Sequence, residues 1–169
     1  MKRYALIVAA LAAVAVSCND NVAGLEPPSD PATETFAPSL GVDISQMTRT
    51  PEGVYYRDLT VGTGLDFTTS ADSIDLSYAG FLKDGTLFES QSNTRFRPLQ
   101  LSGLVPGFRI GMLGMKEGGA RKIVIPSELG YGGKSRRDPN TLEIVIPRQS
   151  TLIFDITLIR VFNPAPATP

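Results

Sequence analysis

The segment SIDLSYAGFLKDGTLFES, residues 73–90, restricts the possible folds more than any other part of the sequence. Apolar residues alternate at Ile74, Leu76 and Tyr78, which predicts a strand with one buried face. The tripeptide KDG predicts a hairpin turn, because glycine adopts positive φ at little cost, and TLFES then returns as the partner strand. Strands joined by so short a turn are antiparallel, so a repeating βαβ fold is excluded.

One further segment predicts a helix. In VPGFRIGMLGM, residues 105–115, the side chains of Phe108, Met112 and Met115 are spaced to share one helical face. Gly111 and Gly114 weaken this helix by up to about 1 kcal/mol each relative to alanine, so we expect close packing on a sheet to hold it. Other strands are predicted at residues 53–59, 97–101, 120–126 and 150–161. The sequence therefore predicts an α+β fold, a curved antiparallel sheet wrapped over one short α-helix.

The first residues have the features of an export signal. Lys2 and Arg3 precede an apolar run, residues 5–16, that is too short to span a bilayer comfortably. We therefore predict a signal peptide at residues 1–17. Cys18 is the only cysteine of the chain, and AVSC resembles the lipobox of bacterial lipoproteins. The interpretation is a lipidated Cys18 and an exported, membrane-anchored lipoprotein on the periplasmic face or cell surface; the alternative is an ordinary secretory signal.

The remaining chain divides by composition. Residues 18–47 are rich in proline, acids and hydroxyls, which predicts a disordered tether behind the lipidated cysteine. Residues 48–162 contain the predicted strands and helix and form the predicted domain. Residues 163–169 are a proline-rich tail. The absence of a long helical N-terminal arm leads us to expect a monomer.

Composition excludes several kinds of chemistry. The chain has no histidine and one cysteine, so histidine-based catalysis, cysteine zinc sites and intramolecular disulfides are excluded. The net charge is −1, and removal of residues 1–17 would make it more negative. Scattered charges of this kind offer no surface that follows phosphates, so we do not expect nucleic acid as a partner.

Three stretches together resemble the FKBP-type peptidyl-prolyl cis–trans isomerases. They are LSYAGFLKDGTLFES (76–90), LVPGFRIGMLGMKEGGARKIVIPSELGYG (104–132) and IPRQSTLIFDITLIRV (146–161). They occur in the family's order and cover nearly all of the predicted domain. For the catalytic pocket, the resemblance implies Tyr78, Phe88, Glu89, Phe108, Tyr131 and Phe154. For substrate binding, it implies Leu99, Leu101, Leu104, Val105, Val145 and Ile146.

The resemblance implies an isomerase of X-Pro bonds in exported proteins, with proline-containing unfolded or exported polypeptides as partners. The site would bind the twisted imide in an apolar aromatic pocket, which requires no nucleophile, metal or cofactor. The alternative is a catalytically weak FKBP-like binding module or chaperone on the same membrane-anchored lipoprotein. Taken singly, the phenylalanines could also be ordinary core residues.

The chain departs from the family's usual pattern at four places. Glu89 replaces an aspartate, Phe108 replaces a tryptophan, and Leu99 and Leu101 stand where aromatic residues are common. The loop at residues 132–147 is longer than in compact members. Its Arg136 and Arg137 either favour acidic or phosphorylated neighbours of proline or are simply solvated charges. These changes predict a pocket that is weaker or differently selective.

Overall fold

The alternating apolar residues of the first long strand organise the sheet. The computed structural model describes residues 26–68 and 73–162. Within them, Ser73–Leu82 is a strand whose even-numbered residues from Ile74 to Gly80 are buried. The strands are β1 Thr48–Arg49, β2 Tyr55–Thr60, β3 Ser73–Leu82, β4 Leu87–Phe96, β5 Ala120–Ile125, β6 Arg136–Arg137, β7 Ile144–Ile146 and β8 Leu152–Phe162. The α-helices are α1 Pro98–Ser102 and α2 Pro106–Met112.

Six strands form one antiparallel sheet in the order β1-β2-β5-β8-β3-β4. The predicted hairpin is β3–β4, and Gly85 in its turn has φ of 92°. β8 pairs with both β3 and β5 along its length, so the last strand lies at the centre of the sheet. β6 and β7 form a separate two-stranded hairpin. The predicted fold class, a curved antiparallel sheet with a short helix, is confirmed.

Helix α2 lies on the inner face of the sheet because its glycines allow close contact. A Cβ atom on Gly107 would lie 2.2 Å from Cγ2 of Ile125, and one on Gly111 would lie 2.9 Å from Cγ2 of Ile123. Pro106 begins the helix, where its missing N–H costs no hydrogen bond. The buried Arg121 on β5 donates to the carbonyls of Gly111 and Leu113 and so satisfies the end of the helix.

The prediction of a strand at residues 97–101 is wrong, because these residues enter α1. Pro98 occupies the first helical turn, and the side chain of Gln100 accepts a hydrogen bond from the backbone N–H of Arg97. A five-residue apolar segment is too short for periodicity to distinguish strand from helix. The return strand β4 is also longer than predicted and runs on to Phe96.

The structure also differs from the predicted disordered tether over residues 26–47. These residues cross the outer face of the sheet and include three 3₁₀ turns, Pro31–Thr33, Pro38–Leu40 and Ile44–Gln46. Leu40 is 6% exposed and packs in a cluster with Tyr55, Val124 and Ile153. Both faces of the central strands are apolar, so the outer face requires a cover, and this segment provides it.

The predicted signal peptide at residues 1–17, Cys18, residues 19–25 and the tail at residues 163–169 lie outside the described residues. Among residues 26–68 and 73–162, no helix combines the length and the apolar character needed to cross a membrane.

Candidate functional site

A cavity of about 250 Å³ opens between the inner face of the sheet and helix α2. Strands β3, β4, β6 and β8 each contribute a side chain to it, and the remainder comes from α2 and from the loops beside it. The lining residues are Tyr78, Glu89, Gly103, Leu104, Val105, Phe108, Tyr131, Arg136 and Phe154. The cavity is therefore built from elements that are distant in sequence.

Three aromatic rings form the inner wall of this cavity. The ring centroids of Phe108 and Phe154 are 5.0 Å apart at an interplanar angle of 88°, and those of Tyr78 and Phe108 are 5.4 Å apart at 70°. Tyr78 also meets Phe154 edge-on, at 5.9 Å. Such edge-to-face pairs are favourable beyond their buried area, so each ring holds the other two in one orientation. The result is a fixed apolar cup.

Phe88 supports this cup from behind and is not among its lining residues. Its ring meets that of Phe154 at 5.5 Å and 88°. Both rings lie against Gly80, where a Cβ atom would come within 2.6 Å of Phe154 and 2.7 Å of Phe88. Glycine at this position therefore leaves the room that the two rings occupy against the sheet.

A chain of polar contacts runs along the rim. The hydroxyl of Tyr78 donates to Oε1 of Glu89 at 2.8 Å. Nη1 of Arg136 donates to Oε2 of Glu89 at 3.3 Å and to the hydroxyl oxygen of Tyr131 at 2.7 Å. These contacts join strand β3 to the loop that follows β5.

Burial and the rim contacts together determine the protonation of Tyr78 and Arg136. Burial is the main cause that raises the pKa of Tyr78 above its ordinary value, and the bond to Glu89 raises it further. Burial alone would lower the pKa of Arg136, but Tyr131 and Glu89 outweigh it and raise that pKa. Tyr78 therefore remains a neutral donor, and Arg136 remains a cation, at neutral pH.

Seven predicted site residues line the cavity together. They are Tyr78, Glu89, Leu104, Val105, Phe108, Tyr131 and Phe154. The structure places four other predicted residues elsewhere. Leu99 is 84% exposed, Leu101 and Ile146 are fully buried in the core, and Val145 packs against the core, partly buried.

The misplacement of Leu99 and Leu101 has a simple geometric cause. Residues two positions apart share one face of a strand, but on a helix they differ by roughly 200° around the axis. Once residues 97–101 enter a helix, Leu101 turns into the core and Leu99 turns toward solvent. The resemblance implied both as substrate-binding residues, whereas neither lines the cavity.

Two lining residues were not predicted as site residues, Gly103 and Arg136. The sequence predicted Arg136 either to favour acidic or phosphorylated neighbours of proline or to be a solvated charge. Neither prediction included a contact to Glu89 and Tyr131. The only signal in the sequence was a cation within a longer loop. Contact between residues 136 and 89 depends on the pairing of β6 with β7, which local sequence patterns do not specify.

A larger cavity, about 520 Å³, lies between the N-terminal segment and the turn of the β3–β4 hairpin. None of the described residues that line it is aromatic, and charged and hydroxyl side chains are prominent among them, such as Asp30, Glu34, Lys83 and Ser29. It offers no apolar cup. The smaller aromatic cavity is therefore the candidate functional site.

Comparison with known proteins agrees with this choice. Residues 66–159 match the family model described as FKBP-type peptidyl-prolyl cis-trans isomerase. The chain is 37% identical over 115 residues to an FK506-binding protein of Neisseria meningitidis serogroup B, a match that covers 66% of this chain and 98% of that protein. It is also 37% identical over 135 residues to FkpA, an FKBP-type peptidyl-prolyl cis-trans isomerase of Escherichia coli, covering 79% of this chain and 44% of FkpA.

A solved structure shares the fold. The crystal structure of a peptidyl-prolyl cis-trans isomerase from Pseudomonas syringae pv. tomato superposes with a TM-score of 0.58 at 26% sequence identity. The match covers 70% of this chain and 82% of that one.

Proposed function

The chain belongs to the family of FKBP-type peptidyl-prolyl cis–trans isomerases, the enzyme class EC 5.2.1.8, and we propose that it performs this isomerisation in the aromatic cavity of Tyr78, Phe108 and Phe154. The family binds proline-containing polypeptides. The observation that carries the proposal is a cup of three edge-to-face rings with a tyrosine hydroxyl, that of Tyr131, at its rim.

The reaction sets modest chemical demands on this site. Rotation about a peptide bond has a barrier of about 18–20 kcal/mol because the C–N bond has partial double-bond character. Only X-Pro bonds populate both isomers substantially, and they exchange over tens to hundreds of seconds. A catalyst must bind the twisted imide more tightly than either planar form.

The cavity can meet this demand without proton transfer. At the twisted geometry the amide loses conjugation, and its carbonyl is less polarised than in the planar forms. An apolar, water-excluding cup therefore favours the twisted state over the planar ones. Phe108 forms the floor against which a proline ring can pack, and it is only 2% exposed.

The rim contacts assign different roles to the two tyrosines. The hydroxyl of Tyr78 already donates its proton to Glu89, so Tyr78 contributes its ring to the cavity wall and not a hydrogen bond to the substrate. Tyr131 accepts a hydrogen bond from Arg136, a contact that leaves its own proton unused. We assign Tyr131 as the donor that orients a substrate carbonyl next to the proline.

Replacing Tyr131 by phenylalanine tests this assignment. We expect kcat/KM for a Leu-Pro peptide, measured by NMR exchange between its cis and trans forms, to fall about three- to tenfold, because one neutral hydrogen bond contributes about 0.5–1.5 kcal/mol. Tyr55→Phe is the matched control, since Tyr55 packs on the outer face of the sheet. A parent protein no faster than buffer would contradict the isomerase function and favour the binding module. An unchanged Tyr131→Phe variant would contradict only the donor role.

The proposal includes a location for the enzyme. We place it outside the cytoplasm as a monomer that is tethered through lipidated Cys18. Its substrates would be exported polypeptides. The support is the charged and apolar leader followed by the single cysteine. Because residues 26–47 lie on the domain, only residues 19–25 separate it from the lipid, and a chain spans at most about 3.3–3.6 Å per residue. The domain would therefore lie within about 25 Å of its anchor.

Growth with radioactive palmitate tests the anchor. We expect the parent chain to carry label and to sediment with membranes, and the Cys18→Ser variant to lose both properties. Ser17→Ala keeps the cysteine and serves as the control. Equal label in the parent and in Cys18→Ser would show that the acyl chain is attached elsewhere or not at all.

A further inference from the structure

We propose that Arg136 is a positioning residue, which holds the hydroxyl of Tyr131 over the aromatic cavity by joining it to Glu89. The inference rests on the proposed function, since it concerns how the orienting donor is held. Nη1 of Arg136 makes both contacts, at 2.7 Å to Tyr131 and 3.3 Å to Glu89. The guanidinium also lies 5.6 Å from the centroid of the Tyr131 ring.

The β6–β7 hairpin delivers this side chain to the cavity. In the strand pairing Arg136 lies opposite Ile146, which is fully buried in the core. The backbone at Arg136 is therefore held to the core through Ile146. Within the turn, the carboxylate of Asp138 accepts from the backbone N–H groups of Asn140 at 2.7 Å and Thr141 at 2.9 Å. The hairpin is therefore held by its own contacts, independently of any substrate.

The neighbouring arginine is held in a different way. Nη1 of Arg137 donates to the carbonyl of Leu142 within the same hairpin, at 2.7 Å, and Arg137 does not line the cavity. The chain thus offers two arginines of equal charge, one after the other, of which one touches the rim and one does not.

Glu89 gives Arg136 a fixed partner. Its other carboxylate oxygen accepts from Tyr78, which is held on β3 within the ring cluster. Arg95, on the same strand as Glu89, pairs instead with Asp75 at 2.7 Å. Among the described residues, Arg136 is therefore the cation bonded to Glu89, and through it Tyr131 is joined to the sheet.

The contact with Arg136 determines the direction in which the hydroxyl proton of Tyr131 points. A hydroxyl that accepts a hydrogen bond from a fixed cation has its own proton directed away from that cation. The ring of Tyr131 is also held at the rim, beside the wall made by Phe154 and Phe108. Without Arg136, the loop loses its tie to Glu89 and the hydroxyl loses its preferred orientation.

Three variants and a double variant test the proposal in the peptide exchange assay. Arg136→Met keeps the apolar stem but removes the donors, and we expect kcat/KM to fall about three- to tenfold for Leu-Pro and Glu-Pro peptides alike. Arg136→Lys should recover most of the activity, because a single nitrogen makes both contacts. Arg137→Met, with the same loss of charge, should leave the activity unchanged.

The double variant Arg136→Met/Tyr131→Phe separates positioning from other roles. If Arg136 acts through the hydroxyl, the double variant should be no slower than Tyr131→Phe alone. Multiplying losses would overturn the proposal. A loss confined to the Glu-Pro peptide would overturn it in favour of direct contact between Arg136 and the substrate.

A readout without catalysis keeps this test distinct from the test of the function. In protein with ¹³C-labelled tyrosine rings, the resonance of Tyr131, assigned from Tyr131→Phe, should shift in Arg136→Met and remain in place in Arg137→Met. An inactive parent that shows this shift would contradict the isomerase function but retain the contact. An unmoved resonance in Arg136→Met would overturn the positioning role whatever the activity.

Discussion

Replacing Phe154 by alanine is expected to lower kcat/KM for X-Pro isomerisation by about 100-fold. Burial of a large apolar side chain is worth about 1.5–3 kcal/mol, and each 1.36 kcal/mol of lost transition-state stabilisation is tenfold in rate. Phe154 makes edge-to-face contacts with Tyr78, Phe88 and Phe108, at 5.0–5.9 Å. Its loss therefore removes one wall and also frees the other rings.

The same change should lower the free energy of unfolding by about 3–5 kcal/mol, as expected for a buried phenylalanine. Phe67→Ala is the matched control, because Phe67 is 1% exposed in the same core but does not line the cavity. We expect a similar loss of stability from it and nearly normal activity while the protein is folded. Urea unfolding and NMR exchange, measured on the same samples, separate the two effects.

The gentler pair Phe154→Leu and Phe67→Leu keeps the test valid should the alanine variants fail to fold. Leucine retains apolar volume but cannot form aromatic pairs, so Phe154→Leu should still lose about tenfold in kcat/KM. Equal activity in the two leucine variants would show that Phe154 serves only the core. The aromatic cavity would then not be the site of the reaction.

Sequence patterns identified the parts of the fold that depend on local periodicity. The β3–β4 hairpin was predictable because alternation and a glycine turn both lie within one continuous segment. Helix α2 was predictable despite its glycines, since Phe108 and Met112 share a face. It ends at Met112, so the predicted Gly114 and Met115 lie beyond it, and Gly107 and Gly111 are the glycines that make room for β5. In both cases, neighbours in sequence carried the information.

The failures occurred where neighbours distant in sequence decide the structure. The apolar residues of the N-terminal segment, among them Phe36, Leu40 and Ile44, are too sparse to form a core alone. They become ordered only because β5 and β8 present a second apolar face, formed by Val124 and Ile153. Composition measured over the segment by itself therefore indicated disorder.

The site shows the same division. Motifs placed the rings of Tyr78, Phe108 and Phe154, because these lie on regular elements. The extra methylene of Glu89 predicted a weaker or differently selective pocket, yet at this length the two carboxylate oxygens reach Tyr78 and Arg136 at once. Arg136 could not be placed from the sequence, since its position depends on the register of the β6–β7 hairpin.

Replacing Leu40 by aspartate is expected to release the N-terminal segment and to lower the free energy of unfolding by about 2–4 kcal/mol. Leu40 is 6% exposed against Tyr55, Val124 and Ile153, and burial of one leucine contributes about 1.5–3 kcal/mol. An unpaired carboxylate in that cluster would cost more than the leucine contributes. The segment can avoid this cost by leaving the sheet.

Undocking of the segment sets an upper limit to the loss of unfolding free energy in Leu40→Asp, and this limit can be measured. The loss in Leu40→Asp cannot exceed the net free energy with which the segment docks, so the variant should be as stable as a chain that begins at residue 48. Leu65→Asp, at a position 53% exposed, is the control and should change stability by less than about 0.5 kcal/mol. Urea unfolding of the four proteins gives each value.

The stability of Leu40→Asp distinguishes a docked N-terminal segment from a free one. A Leu40→Asp variant as stable as the parent would show that residues 26–47 do not cover the sheet in solution. A variant much less stable than the shortened chain would show that the charge stays buried and that the segment cannot leave. Because the cavity lies on the opposite face of the sheet, kcat/KM should remain within about twofold of the parent while the domain is folded.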